Sequence, residues 1–345
     1  MALRWFIVAP GSALMGYLLD RLHVPAAWIL GAILVSGAVA LTTGEELSVN
    51  KHVYTFGRGI VGILAALPLV GVPVLSLVRV VPAGLFATAI TVGIGVLGGL
   101  LLARSQASIS RESGVLSMLA GGASVMPAIA SDVGADVRYV ALAQYLRLLA
   151  VSLSLPLVAH LLMDPAGAGN SQMSHPVQHH WFMVPVVLAI ASGGGYVARS
   201  LRMPVPSVFG PLVLTVLVSL LLPSSLNLVP PMVLRVLALM SIGWVCGGSL
   251  SLRALKEYAD NLLTTVIFIV VIIAACAASA WPLTHWLSIS YFEAYLATSP
   301  GALETVLALG AEGGAGHEVV AVQLIRLVSV LLLAGYLKPL LKRLG

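Results

Sequence analysis

One stretch of this chain, Ser108–Leu162, recurs later as a second copy. It starts polar, breaks at Gly121-Gly122, and runs on as a short apolar segment to Gly134. A long apolar run carrying Gln144 and Arg147 follows. At a spacing of 179 residues the second copy sets Gly313 opposite Gly134, Gln323 opposite Gln144, Arg326 opposite Arg147 and Val330 opposite Val151. Upstream, Pro25 and Gly31 in VPAAWILG match Pro204 and Gly210 in MPVPSVFG at the same spacing, while the break itself aligns with a slip of one residue. A duplication of this length limits the fold to two similar halves, 1–162 and 181–345, joined by the link 163–180.

With 59% hydrophobic and 9% charged residues and a mean hydropathy of +1.03, the chain has too little polar surface to cover a soluble core. The predicted spans of the first half are Trp5–Leu19, Ala26–Leu41, Phe56–Leu77, Val81–Leu102 and Tyr139–Met163, with the broken segment Ser108–Gly134 between the last two. The second half gives Trp181–Ala198, Val205–Leu222, Pro231–Leu250, Asn261–Trp281 and Glu318–Leu340, with the broken segment Leu287–Gly313. No cleavable signal peptide is evident, and the first apolar run is expected to span. Cys246 and Cys276 both lie in apolar runs, which argues against a disulfide framework and against a metal cluster.

Basic residues decide how the broken segments are threaded, because they collect on the cytoplasmic side. If each broken segment is a re-entrant hairpin that enters and leaves on one face, twelve of the 18 Lys and Arg fall on the N-terminal side, from Arg4 and Lys51 to Arg343. Only Arg21 and Arg79 fall opposite, and Arg58, Arg147, Arg235 and Arg326 stay in or at the edge of the apolar runs. If the segments crossed fully, Arg138, Arg199, Arg202, Arg253 and Lys256 would change sides and the bias would vanish. The fold class expected is therefore an all-α polytopic membrane protein of two inverted repeats, each with about five transmembrane helices plus one re-entrant helical hairpin. It places the chain in an inner membrane, multi-pass, with both termini cytoplasmic and the link 163–180 periplasmic. Such broken helices are familiar in secondary transporters.

The hairpin apices are read at Gly121, Gly122, Pro300 and Gly301. Proline removes a backbone donor and glycine permits a tight reversal. Irregular backbone at membrane depth has to be buried in protein or line a polar cavity. The amides after Gly301 open a short helix, whose positive end suits an anion or carboxylate, and Ser124 is the matching polar candidate in the first hairpin. Glu304 sits in that first turn. One reading makes it a coupling acid; the other makes it a cap of its own helix, paired with an arginine. Thr305 is a weaker neighbour whose hydroxyl is equally able to bond its own backbone.

Gln144 with Arg147, and Gln323 with Arg326, are three apart and share helix faces. Their guanidinium groups either bind an anionic substrate or satisfy hairpin carbonyls or a carboxylate such as Glu304. Arg58 in FGRGIVG and Arg235 in PMVLRVL are expected to snorkel toward the interfaces. Asp132, Asp136 and Arg138 read as a hairpin exit with local pairing. His175, His179 and His180 lack a carboxylate or cysteine that would complete a ligand set. Gly243 to Gly247 has the small-xxx-small spacing of close helix packing.

The apex followed by VGADVRYVALAQYLR, and again by EGGAGHEVVAVQLIR, resembles the AbrB duplication family of bacterial inner-membrane proteins over nearly the whole chain. The resemblance implies labels of ammonia monooxygenase or AbrB-family regulator. Family members commonly show a Pro-Gly-Gly apex followed within four residues by an acid. Here the first half has Ala120-Gly121-Gly122 with Val125 and no acid, while the second has Pro300-Gly301-Ala302 with Glu304 or Thr305 nearby. The eight histidines converge on no His/carboxylate set, so neither a metal nor another cofactor is expected. Direct nucleic-acid binding is not expected either, since there is no basic soluble module.

The function expected first is a secondary transporter or permease for a small anionic or zwitterionic metabolite, coupled to protons. The alternative is a membrane sensor or regulatory interaction protein without net transport; a membrane oxygenase comes third, and no enzyme activity is expected. The expected partners are the lipid bilayer, an unknown small molecule and protons, and a homo-oligomer is compatible with this reading.

Overall fold

In hydrocarbon a backbone amide or carbonyl has no water to bond, so an apolar run that enters the bilayer closes its hydrogen bonds within itself as a helix. The fold follows that rule throughout. A computed structural model describes residues 2–22, 24, 26–120, 125–162, 181–203, 205–223, 226–249, 252–301 and 303–344, and among them there is no β-strand. The link 163–180 with its three histidines, the apex residues Gly121, Gly122 and Ser124, and Pro25 and Pro204 lie outside the described residues.

The first half of the element order is α1 (Ala2–Arg21), α2 (Ala27–Thr43), α3 (Lys51–Ala66), α4 (Val74–Ser105), the short pair α5 (Arg111–Met118) and α6 (Val125–Val133), and α7 (Val137–Leu162). The second is α8 (Val184–Ser200), α9 (Pro206–Leu221), α10 (Met232–Gly248), the single turn-and-a-half α11 (Leu252–Glu257), α12 (Ala259–Leu287), the short pair α13 (Tyr291–Thr298) and α14 (Leu303–Glu312), and α15 (His317–Leu344). Four stretches, Lys51–Leu69, Val74–Ser105, Trp181–Ser200 and Ala259–Leu287, are long and apolar enough to cross a membrane. Leu263, Ile267, Val270 and Val271 on α12, with Phe6, Ile7 and Leu14 on α1, are exposed apolar side chains of the kind that a lipid bilayer covers. The protein is a multi-pass helical membrane protein.

The span expected at Phe56–Leu77 starts earlier, at Lys51, because Asn50 caps α3 by accepting the His52 amide at 2.8 Å. It also ends earlier. A 3-10 turn at Leu67–Leu69 follows, and Pro73 precedes α4 in extended backbone.

The helices pack as two groups. In one, α1 lies on α2, α2 on α10, α10 on α3, α3 on α9 and α9 on α8. The other gathers α4, α7, α12 and α15 around the two short pairs, with α5 held against α4 and α7 and α13 against α12 and α15. The groups meet chiefly where α14 packs on α3. Small residues set these distances. A Cβ added at Gly243 would lie 2.5 Å from the Ile29 carbonyl of α2, so the small-xxx-small spacing brings α10 onto α2. Likewise a Cβ at Gly99 would lie 2.5 Å from the Gly114 carbonyl, so glycine lets α4 and α5 touch backbone to backbone.

Local backbone features recur between the halves. Ala26 before α2 and Val205 before α9, 179 apart, both take the left-handed conformation. Gly134 and Gly314 do so after α6 and α14, with φ of 77° and 68°. This corrects the pairing of Gly134 with Gly313: the turn needs positive φ, and the residue that supplies it in the second copy is Gly314. From the helix caps Ser110 and Ser290 to these glycines the spacing is 180, and the Gln and Arg pairs return to 179.

Candidate functional site: two clamped hairpins and a buried ion pair

Each short helix pair starts with a serine cap. Ser110 Oγ accepts the Ser113 amide at 3.2 Å. Ser290 and Glu293 form a reciprocal capping box, with the Glu293 amide on Ser290 Oγ at 3.2 Å and the Ser290 amide on Glu293 Oε2 at 3.0 Å. The same residues close the far end of each pair. Ser113 Oγ accepts the Asp136 amide at 2.9 Å, and Glu293 Oε1 accepts the Gly316 amide at 2.9 Å. Both short pairs therefore start and finish at one point, the geometry of a helical hairpin.

Helices α5 and α13 stop inside the protein and leave carbonyls without helical partners. The Gln and Arg pairs supply the donors. Gln144 Nε2 donates to the carbonyls of Leu116 at 2.6 Å and Leu119 at 3.1 Å, and Arg147 Nη1 donates to Leu119 at 2.9 Å and Met118 at 3.3 Å. In the second copy Gln323 Nε2 donates to Leu296 and, at 3.3 Å, to Ala297, while Arg326 donates to the carbonyls of Ser299 and, at 3.3 Å, of Gly301. These bonds are the hairpin-carbonyl contacts that one of the two readings of these arginines expects. Gln144, Arg147, Gln323 and Arg326 are all buried, and Arg147 also holds the Gln144 side-chain carbonyl at 2.6 Å. The cations sit at helix C-termini, where the backbone dipole favours them.

Glu304 opens α14 and pairs with Arg58 of α3 at 2.6 Å, with side-chain exposures of 12% and 19%. Arg58 was expected to snorkel to an interface. It turns inward instead, since a carboxylate in an apolar interior needs a countercharge more than the guanidinium needs water. Arg58 also lies over the Tyr54 ring at 5.4 Å. Cys246 of α10, with Ser152 and Thr305 beside its thiol, completes the neighbourhood of the pair. The buried hydroxyls of Ser152 and Thr305 have no hydrogen-bond partner of good geometry. Pro300 and Gly301 are buried at the second apex.

Arg58 is the member of this group that the sequence reading missed. Its signal was a charge flanked by Gly57 and Gly59 inside an apolar run, where close helix neighbours are expected. The hairpin exit differs too. Asp136 caps α7 through the amides of Arg138 at 3.0 Å and Tyr139 at 3.1 Å, and it accepts from the Tyr258 hydroxyl at 2.9 Å. Desolvation first, and that hydrogen bond second, push the Tyr258 phenol above its ordinary range. The side chain of Arg138 reaches across to Glu257 at 3.4 Å.

A family model described as "Transition state regulatory protein AbrB" matches residues 28–344, a range that takes in both hairpins and both clamps. The chain belongs to the AbrB family. Among its AbrB-family relatives, the "Putative regulator AbrB" of Escherichia coli (strain K12) is 32% identical over 345 aligned positions, covering 96% of this chain and 94% of the relative. The "Uncharacterized protein YhjN" of Bacillus subtilis (strain 168) is 25% identical, covering 60% of this chain and 57% of its own. The AbrB description is regulatory rather than catalytic. Among the described residues no group of three or more His, Cys, Asp or Glu could hold a metal ion. The described residues therefore bring together no donor set of the kind that an oxygenase label implies.

Proposed function

We propose that the protein is a membrane sensor with a regulatory output and no net transport, whose responsive element is the contact between the second hairpin and α3. The observation that carries this reading is the Arg58–Glu304 pair, which ties the tip of α14 to a helix of the other packing group. A small charged or zwitterionic ligand, or a proton on Glu304, that competes for this pair would loosen the hairpin from α3. The regulatory description of the family model favours the same reading. With no basic soluble module in the sequence, the output runs through a partner or a ligand rather than through DNA.

The division of helices into two groups that meet at a hairpin favours a second reading, a proton-coupled transporter for a small anionic or zwitterionic metabolite. Under either reading we infer two inverted repeats, 1–162 and 181–345. Each has five crossings and one hairpin, the link 163–180 is periplasmic, and both termini are cytoplasmic in a bacterial inner membrane. The recurring caps, left-handed residues and clamps support this arrangement. The candidate ligand contacts are Glu304, Thr305, Arg326, Gln323, Arg147, Gln144 and Ser124, with Arg58 added by the geometry.

One experiment separates the two readings. The full chain and its Glu304→Gln variant are purified and challenged with a panel of amino acids and small carboxylates. Thermal shifts are read in detergent, and uptake is read in proteoliposomes under a proton gradient. The sensor reading expects a ligand-dependent shift in the wild type, its loss in Glu304→Gln, and no uptake. Gradient-driven uptake that disappears in Glu304→Gln would replace it with the transport reading.

A further inference from the structure

Two cations stand close together in the interior without a countercharge. Arg147 and Arg326 are 1% and 5% exposed, on helices of different halves, and neither has a carboxylate partner among the described residues. The apex residues outside the described set, Gly121, Gly122, Ala123, Ser124 and Ala302, carry no ionisable group either. Val151, one turn beyond Arg147 on α7, lies 3.0 Å from where a Cβ at Gly301 would stand, and Gly301 gives its carbonyl to Arg326. Thr298, beside the Ser299 whose carbonyl Arg326 also holds, donates its hydroxyl to the Cys276 carbonyl at 3.0 Å, so both arginines and Cys276 gather at the second hairpin. The bonds the two arginines make to hairpin carbonyls place each at a helix C-terminus worth about half a negative charge. That offsets only part of the two guanidinium charges and leaves about one positive charge at low dielectric, a cost that a counterion relieves.

A second observation points to a ligand. Arg147 Nε is buried with no hydrogen-bond partner, so the centre is short of an acceptor there. Most Nη donors are already committed to carbonyls, which leaves little of the planar fork that a carboxylate or phosphate would grip with two parallel bonds. What remains is charge with a few scattered N–H groups. That combination suits a small ion better than a flat one.

We propose that the centre formed by Arg147 and Arg326 beside Cys276 binds one small monovalent inorganic anion of the chloride type, which offsets the charge of the two arginines and holds the two Gln-Arg clamps together. This names the chemistry of the hairpin region invoked under Proposed function. Its test reads ion-dependent stability and does not depend on whether the protein signals or transports.

The full-length protein is purified in sodium gluconate and titrated with chloride, bromide, nitrate, phosphate or sulfate while its thermal midpoint is followed. Chloride, bromide and nitrate are expected to raise the midpoint saturably by about 4 °C. Gluconate at equal ionic strength should give no rise. Cys276→Asp supplies a carboxylate beside both guanidinium groups and should remove most of the chloride response, whereas Cys276→Ser should keep it. An equal midpoint in chloride and gluconate overturns the proposal, as does a response to phosphate and sulfate alone. A full chloride response in a folded Cys276→Asp protein overturns the placement. If Cys276→Asp does not fold, anomalous scattering from bromide-grown crystals of the wild type decides. A peak between Arg147 and Arg326 supports the site, and peaks elsewhere, or none, overturn it.

Discussion

The two hairpins share a scaffold and differ at their tips. In both, a serine cap opens the first short helix, a Gln and an Arg three residues apart seal its buried end, and a glycine in the left-handed conformation closes the exit. These are the features that an interrupted helix at membrane depth needs in order to satisfy its backbone, so both copies keep them. The tips answer to no such need. The spacing of 180 across the hairpins sets Ser124 opposite Glu304, and only the second copy carries a charge that must find a partner. That partner, Arg58, lies on the other group of helices, and α14 packs on α3 accordingly. Residues shared by the copies thus hold the hairpins together, and residues that differ connect one hairpin to the rest of the molecule.

The largest effects should fall on the shared clamps. Arg147→Ala and Arg326→Ala each strip donors from at least two buried carbonyls, with an expected loss of roughly 3–5 kcal/mol at about 1–3 kcal/mol for each unsatisfied group. Both variants should lose most of their monodisperse yield on size exclusion in mild detergent. Lysine at either position should rescue only partly, because a point charge cannot span two carbonyls as the fork does. A clamp variant in one half that behaves like wild type would break the equivalence of the hairpins.

Next comes the feature that separates them. Glu304→Gln leaves the Arg58 charge without its partner. The expected cost is about 2 kcal/mol, lower than for a wholly dry pair because both side chains keep some exposure. Ser124→Ala, at the matching place in the first hairpin, should cost well under about 1 kcal/mol. Thermal midpoints of Arg58→Gln, Glu304→Gln and the double variant close a cycle, and the double should be less destabilised than the two single changes added. Additive losses would mean that the pair does not couple α3 to the hairpin.

Much of this was legible in the sequence, and the boundary has a physical cause. Helices, breaks and the Gln and Arg pairs were readable because apolar length, Gly-Pro chemistry and repetition are local properties. The partner of Glu304 was not, because Arg58 lies 246 residues away and pairing across packing groups leaves no spacing to find. For the same reason the choice between substrate and carbonyls for Arg147 and Arg326 stayed open. Both readings require a buried arginine, and only the positions of the carbonyls at Leu119 and Ser299 show which backbone groups it bonds. The one-residue slip at the second exit was visible as a gap, but choosing Gly314 over Gly313 required its backbone angle.

A smaller effect tests whether the exits are equivalent. Gly134→Ala and Gly314→Ala place a Cβ on a backbone with positive φ, at an expected cost of about 1 kcal/mol each. Open space surrounds the Cβ position at Gly134, so strain alone sets its cost. Gly313→Ala should be the less tolerated neighbour for a different reason, since its Cβ would lie 2.7 Å from the Phe292 ring. Matched losses at 134 and 314, read as thermal midpoints, support the spacing of 180. A tolerant Gly314→Ala would return the turn to 313.

The smallest difference lies at the entrances. Ser290→Ala removes the acceptor of the Glu293 amide and also the partner that holds Glu293 in its capping box, so about 1 kcal/mol is expected. Ser110→Ala removes one amide acceptor from a cap with no such reciprocal bond, and a loss nearer about 0.5 kcal/mol follows. Glu293 also accepts the Gly316 amide at the exit, so Glu293→Ala should cost more than Ser290→Ala by freeing both ends of the hairpin at once. Its counterpart Ser113→Ala severs the bond from the Asp136 amide and the 2.9 Å bond from Ser110 Oγ, but leaves Ser110 Oγ able to accept the amide of residue 113. Hydrogen exchange at the two exits reads this directly. Faster exchange at Gly316 in Glu293→Ala than at Asp136 in Ser113→Ala would make the second hairpin the one fastened by a charge at both tip and base, and equal rates would confine the asymmetry to the tip.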